Sequence, residues 1–146
     1  MRLIDADILA YALYDESPAH SYAFNLLERS FRGEILLHVT PTTILEAYNA
    51  LYWFYRVRPV RQLLEKLKLA VDGIRIVEAS IDGIALASAE EIPLGDGFLI
   101  ASALRHKIPV LVSNDKHIAS KAPKRGLIVE NPIPSEVRDK MAEWSP

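Results

Sequence analysis

The stretch Pro93-Leu-Gly-Asp-Gly-Phe-Leu-Ile-Ala-Ser-Ala-Leu-Arg-His-Lys-Ile-Pro-Val-Leu-Val-Ser-Asn-Asp-Lys-His-Ile118 decides the fold. It reads as a helix and then a strand, with an acid at one end of each. Gly95 breaks the chain and Asp96 opens an apolar helix, Phe98 to Leu104. Arg105, His106 and Lys107 close it with positive charge, as the helix dipole favours. Pro109 then starts Val110-Leu-Val112, a short β-branched run read as a buried strand. That strand ends in Ser113-Asn-Asp115. Asp96 thus sits at a helix N-terminus and Asp115 just past a strand. In an open α/β sheet both places face the crevice beyond the carboxyl ends of the strands. Two carboxylates aimed at one crevice call for a counter-charge, and a hard cation is the commonest one.

Outward from this stretch, strands and helices alternate. Leu3-Ile4 forms a first strand, Asp5 follows at once, and Ile8 to Leu13 is helical. Asp5 therefore repeats the setting of Asp115. Ala19, Tyr22, Ala23, Leu26 and Leu27 mark a second helix, ended by Gly33, and Ile35 to Val39 a second strand. Thr40-Pro41 starts a helix as an N-cap followed by proline. This helix runs to about Tyr55 with Glu46 in its second turn. A helix from Pro59 to about Val71 has Gly73 as its cap, and Ile74 to Val77 is a third strand. Ser80 caps a helix through Ala89, Leu127 to Val129 is a last strand, and Pro134 to Trp144 is a docked C-terminal helix. The pattern predicts one α/β domain over residues 1–146, with residues 133–146 as a helical tail and a mainly parallel sheet.

Composition bounds the function. The chain has 146 residues, half of them hydrophobic and a quarter charged, which suits one domain with a real core. A formal net charge of −2 gives no bulk argument for nucleic-acid binding, so such binding needs a local basic patch. With no cysteine, disulfides, thiolate catalysis and zinc–thiolate sites are excluded. The early Asp5 leaves no room for a signal peptide, and no apolar run approaches the ~20 residues of a membrane helix. A cytoplasmic protein with no membrane partner is expected.

Four acids stand in marked places: Asp5 and Asp115 end strands, Asp96 begins a helix, and Glu46 lies one turn into a helix that follows a strand. Parallel wiring brings all four to one rim. Like charges that close cannot all stay ionised unaided. Mg²⁺ or Mn²⁺ supplies the counter-charge, since both prefer carboxylate and water oxygens. Such an ion activates water and stabilises charge on a phosphodiester oxygen, which points to phosphate-ester hydrolysis. Singly, Asp5 and Asp115 read equally as turn or cap residues, and Glu46 as a solvated helix residue. Asp7 reads as a cap of the first helix. The basic segment Lys116, Lys121, Lys124 and Arg125 reads as plain surface or as a contact for a phosphate backbone. The aromatic stripe Tyr48, Tyr52 and Tyr55, with Trp53, reads as core or as a two-fold interface between copies rather than as a base-stacking platform.

These motifs resemble the PIN-domain ribonucleases, and among them the toxin component of VapBC-type systems. Leu3-Ile-Asp-Ala-Asp-Ile-Leu9 is similar to the first acid motif, Thr43-Ile-Leu-Glu46 to the second, Gly95-Asp-Gly-Phe-Leu-Ile-Ala-Ser-Ala-Leu104 to the third and Val110-Leu-Val-Ser-Asn-Asp115 to the fourth. The resemblance covers roughly Leu3 to Val129. It implies a five-stranded parallel sheet between helices, Mg²⁺ or Mn²⁺, cleavage of single-stranded RNA, a homodimer, and a small DNA-binding antitoxin as partner. By position, Asp5, Glu46, Asp96 and Asp115 would be the catalytic, metal-binding acids. Ser113 would be the hydroxyl residue that supports them, with Asp7 and Asn114 beside them. Asp7 stands where the family usually has Asn or Ser, and Gly97 where it has Ala. Asp7 is expected to add an acid near the site, and Gly97 to loosen the helix start that positions Asp96. Two other readings compete. Asp5-Ala-Asp7 with Ser113 is similar to motifs of haloacid-dehalogenase phosphatases, but the later acid pair is missing. A PIN-like binding module without catalysis is the third reading, and the four acids count against it.

Overall fold

Leu3 and Ile4 are neighbours in the chain, almost fully buried, and belong to different cores. Successive side chains of a strand point to opposite faces, so a strand buried on both sides must be apolar at every position. The computed structural model, which describes Met1–Pro146, shows this arrangement in the central strands, while the edge strands at Arg75–Ile76 and Ile128–Glu130 stay partly exposed. The strands are β1 (Arg2–Ile4), β2 (Leu37–Val39), β3 (Arg75–Ile76), β4 (Val110–Val112) and β5 (Ile128–Glu130). They form one parallel sheet of five strands in the order β3-β2-β1-β4-β5.

Helices cover both faces. On one side lie α1 (Ala6–Leu13), α2 (His20–Phe31), α3 (Pro41–Asn49), α4 (Val60–Asp72) and α8 (Ser135–Glu143). Ile4, Leu37, Val39 and Val112 meet Ile8, Leu27, Leu67 and Val137 there. On the other side are α5 (Gly83–Glu90), α6 (Leu94–Arg105) and α7 (Lys116–Lys121). Leu3 and Leu111 meet Leu86, Ile100 and Ile118 there. The single α/β domain with a central parallel sheet follows from the alternation of elements. The tail packs through Ile133, Val137 and Met141 against the first core.

The strand order places the site. From β1 the chain steps outward to β2 and β3, then returns across the sheet to put β4 on the other flank of β1. Connections therefore diverge between β1 and β4, which opens a crevice at their carboxyl ends. Asp5 follows β1 and Ser113-Asn-Asp115 follows β4, in that crevice.

Four local expectations are corrected. Gly95 breaks nothing: α6 starts at Leu94 with Pro93 as its N-cap, and Asp96 lies inside the first turn. Proline has a fixed φ and no N–H to lose, so it launches the helix one residue before the glycine. Ser80 is not the cap of α5. Its hydroxyl accepts from the Asp82 N–H at 3.3 Å in a local turn, and its own N–H donates to the Ser102 hydroxyl at 2.9 Å. The helix begins later, at Gly83. The helix bearing Glu46 is α-helical only to Asn49 and continues as a π-helical turn, Ala50–Phe54. Finally, Gly97 does not loosen the start of α6. A Cβ there would stand 2.5 Å from the Gly83 carbonyl oxygen and 2.7 Å from the Ala87 Cβ. One on Gly83 would stand 2.6 Å from the Phe98 Cα. The two glycines let α5 and α6 touch backbone to backbone, which clamps the helix that carries Asp96.

Candidate active site

Asp5 is the N-cap of α1. One carboxylate oxygen accepts from the Ala6 N–H at 2.7 Å, and the other accepts from the Ser113 hydroxyl at 2.6 Å. Ser113 is buried and accepts in turn from the Asp115 backbone N–H at 2.9 Å. Asp115 is the N-cap of α7, its Oδ1 accepting from the His117 and Ile118 N–H groups at 2.7 and 3.2 Å. The cap reading and the site reading of these acids are thus both physical. Each spends oxygen lone pairs on backbone donors, which fixes the carboxylate at the crevice.

Asp96 is different. It is buried on the first turn of α6, and its Oδ2 is the one buried side-chain polar atom without a hydrogen-bond partner. Burial, with the charges of Asp115, Asp5 and Glu46, pushes its pKa up to about 7. Glu46, half-buried on α3, is raised first by burial and then by the Asp5 charge. Asp5 is raised by burial and by Asp115, against the hydrogen bonds that Ser113 and Ala6 donate. The fold therefore brings the four predicted acids within electrostatic reach of one another.

Gly95 belongs to the site, which its reading as a breaker missed. A Cβ on it would collide with the Glu46 carboxylate, so the bare backbone leaves the space that this carboxylate fills. Asp7 faces the same region: it accepts from the Ile8 N–H at 2.7 Å and from the Asn114 N–H at 3.0 Å. It ties the start of α1 to the end of β4, and burial with the Asp5 charge holds its carboxyl well above the usual range. Asn114 accepts from the Asn131 side chain at 2.8 Å. The Tyr11 hydroxyl is pushed up to about 12, first by burial and then by the Asp7 charge. Tyr11 and Asn131 were not singled out from the sequence. The signal for Tyr11 was its place one helical turn after Asp7.

The basic segment divides. Lys121 and Arg125 reach Glu90 of α5 at 3.8 and 3.1 Å, so that carboxylate already takes two of its charges. Lys116 and Lys124 are exposed and unpaired.

Carboxylates are the donors a hard divalent ion prefers. The partnerless Asp96 oxygen amid three further acids is a donor such an ion would satisfy. No three His, Asp or Glu side chains close into a ready-made cage, so in chemistry the residues fit an ion better than they do in present placement.

The PIN domain family model matches residues 2–124. The chain belongs to the PIN-domain family. The match displaces the haloacid-dehalogenase reading. No curated protein matches the sequence significantly. Among solved structures, PAE2754 from Pyrobaculum aerophilum is 22% identical with a TM-score of 0.61, over 97% of this PIN domain and 93% of that chain. VapBC2 from Rickettsia felis, bound to a DNA fragment from its promoter, is 19% identical at a TM-score of 0.62, over 89% and 97%. VapC20 from Mycobacterium tuberculosis, described as a sarcin–ricin loop cleaving toxin, is 12% identical at 0.61, over 88% and 97%. At these identities the likeness is one of fold. No helix of this PIN domain is long and apolar enough to cross a membrane.

Proposed function

We propose that this PIN domain is a metal-dependent endoribonuclease that cleaves single-stranded RNA, the toxin of a VapBC-type pair. The observation that carries the reading is the buried, partnerless Asp96 Oδ2 on a carboxyl that feels the charges of Asp115, Asp5 and Glu46. A polar atom stripped of water without a partner is costly, and structures keep such atoms where a ligand satisfies them. The fold shared with toxin–antitoxin structures, one of them named for cleaving an RNA loop, supports the same reading.

Asp5, Glu46, Asp96 and Asp115 would hold Mg²⁺ or Mn²⁺. A bound ion of this kind supplies a Lewis-acid charge for a phosphodiester oxygen and lowers the pKa of water. The chain's own part is orientation. Ser113 fixes Asp5, the α7 backbone fixes Asp115, and Gly95 gives Glu46 its place. Asp7, held by the Asn114 N–H, fixes the β4–α7 corner, with Asn114 itself pinned by Asn131. Lys116 and Lys124 are the members of the basic segment free to meet phosphate.

A homodimer, a small DNA-binding antitoxin and a cytoplasmic setting belong to the same proposal. Tyr48, Tyr52 and Tyr55 are partly buried in a small core with Leu51 and Leu63, so any interface on this face falls to Trp53 and Phe54, which are 67% and 61% exposed.

Purified protein with Mn²⁺ or Mg²⁺ should cut single-stranded RNA, and Asp96→Asn should lose most of that activity. Equal cutting by both would mark a contaminant and end the assignment. Calorimetric titration with Mn²⁺ separates a nuclease from a binding module, which has no reason to bind the ion tightly.

A further inference from the structure

We propose that Tyr14, Tyr55 and Trp144 form a stacking subsite for a nucleobase of the bound RNA, with Arg56 and Arg58 taking the adjoining phosphates. The proposal rests on the nuclease reading above and adds where the strand lies.

The three rings come from the end of α1, the end of the π-helical turn and the end of α8, and close into one cluster. Tyr14 and Tyr55 lie 4.5 Å apart between centroids, and each lies 6.0 Å from Trp144. All three stay partly exposed. The π turn produces this meeting. Tyr48 and Tyr52 remain stacked at 5.7 Å along the helix, while the wider turn over Ala50–Phe54 swings Tyr55 away to Tyr14. Such turns recur at functional sites. The Tyr14 hydroxyl donates to Glu16 at 2.7 Å, which holds that end of the side chain in place.

The cluster lies along α1 from Asp7. Asp7, Tyr11 and Tyr14 follow one another at helical spacing, so Tyr14 lies about 10 Å along α1 from Asp7. That is roughly three stacked-base spacings of ~3.4 Å. The Asp7 charge reaches both Tyr11 and Tyr55.

Positive charge follows the rings. Residues 56–61 hold three arginines and no acid. Arg56 is exposed, has no ion-pair partner and adopts φ 58°, turning the chain just after Tyr55. Arg58 is held with its guanidinium 3.6 Å over the Tyr52 ring, donating to the Tyr52 and Val57 carbonyls at 2.7 and 3.0 Å. Aromatic faces beside a cationic track are how single strands are held without sequence-specific readout, each base stacking on a ring and each phosphate meeting a cation. Across the crevice, Glu90 already answers two of the four cations of the other basic segment.

The test uses the full chain with Trp53→Phe, which leaves Trp144 as the sole tryptophan. It is titrated with a single-stranded RNA oligonucleotide and with the same strand made abasic, with Ca²⁺ replacing the catalytic ion. The base-bearing strand should quench Trp144 and the abasic strand should not. Tyr55→Leu and Trp144→Leu should each weaken RNA binding, roughly 5- to 150-fold for one lost stack, while Trp144→Phe keeps most of it. Arg56→Ala, on an exposed unpaired residue, should lower the salt dependence of binding by about one phosphate contact. RNA that binds and is cut normally while Trp144 stays silent and Tyr55→Leu changes nothing overturns the subsite alone. RNA that is neither bound nor cut overturns the nuclease reading with it.

Discussion

The Ser113 hydroxyl donates to the Asp5 carboxylate at 2.6 Å, joining the ends of two adjacent parallel strands across 108 residues of chain. The same oxygen accepts from the Asp115 N–H, so one buried hydroxyl sets two of the four acids. Ser113→Ala should cost about 1–3 kcal/mol of stability for a charged hydrogen bond left half-made. It should also cut metal affinity or activity about 10- to 100-fold, as loss of an orienting partner does elsewhere. Chemical denaturation and a Mn²⁺ titration check both. Wild-type metal affinity in the variant would reduce Ser113 to a structural residue.

Asp96 links the site to stability. Its pKa is raised in the fold from 3.8 to about 7, so between these values the native state binds more protons than the unfolded chain. Stability from this group is therefore full at low pH and is lost as pH rises toward 7. Asp96→Asn removes the ionisation. In chelator, the variant-minus-wild-type difference in melting temperature should grow as pH goes from 5 to 8. Saturating Mn²⁺ should stabilise the wild type, by roughly 2.7 kcal/mol at 100 times Kd, and the variant much less. A variant that melts lower in chelator yet keeps the full Mn²⁺ gain would show that Asp96 holds the helix and not the ion.

Gly95→Ala separates helix propensity from clearance. Alanine within the first turn of α6 should favour the helix by up to ~1 kcal/mol. Its methyl would displace the Glu46 carboxylate. The expected variant melts no lower than wild type and binds Mn²⁺ more weakly. Unchanged Mn²⁺ binding would remove Glu46 from the ligand set.

Gly97→Ala should behave in the opposite way. The methyl meets the Gly83 carbonyl and Ala87, both on the backbone-tight α5–α6 crossing. Overpacking of this kind costs about 1–3 kcal/mol, more than the helix gain. A variant as stable as wild type in urea would mean that the crossing opens easily.

The two halves of the basic segment should differ. Replacing Lys116 and Lys124 by Ala should lower the steepness of the RNA salt dependence by ~1.4, two contacts at about 0.7 each for a single strand. Replacing Lys121 and Arg125 should change it less, because Glu90 already partners both. Equal effects from the two pairs would show that RNA displaces Glu90.

What the amino-acid order determined by itself was periodicity and punctuation. Val110-Leu-Val112, a short β-branched run after a proline, reads as a buried strand, and Thr40-Pro41 as a helix start. An acid after each of two such strands then marks the crevice. These signals are local, carried by backbone preference and by which face of an element is apolar, so the α/β class and the place of the four acids were legible. The tertiary structure decided what depends on neighbours distant in sequence. Gly95 reads as a breaker until Glu46 is seen filling its space, and Gly97 as a weakness until Gly83 is seen against it. Tyr55 reads as part of a stripe with Tyr52 until the π turn moves it to Tyr14. Lys121 and Arg125 look free until α5 brings Glu90 to them. In each case the residue's role is set by an atom contributed from elsewhere in the chain, and spacing along the sequence holds no record of that contact.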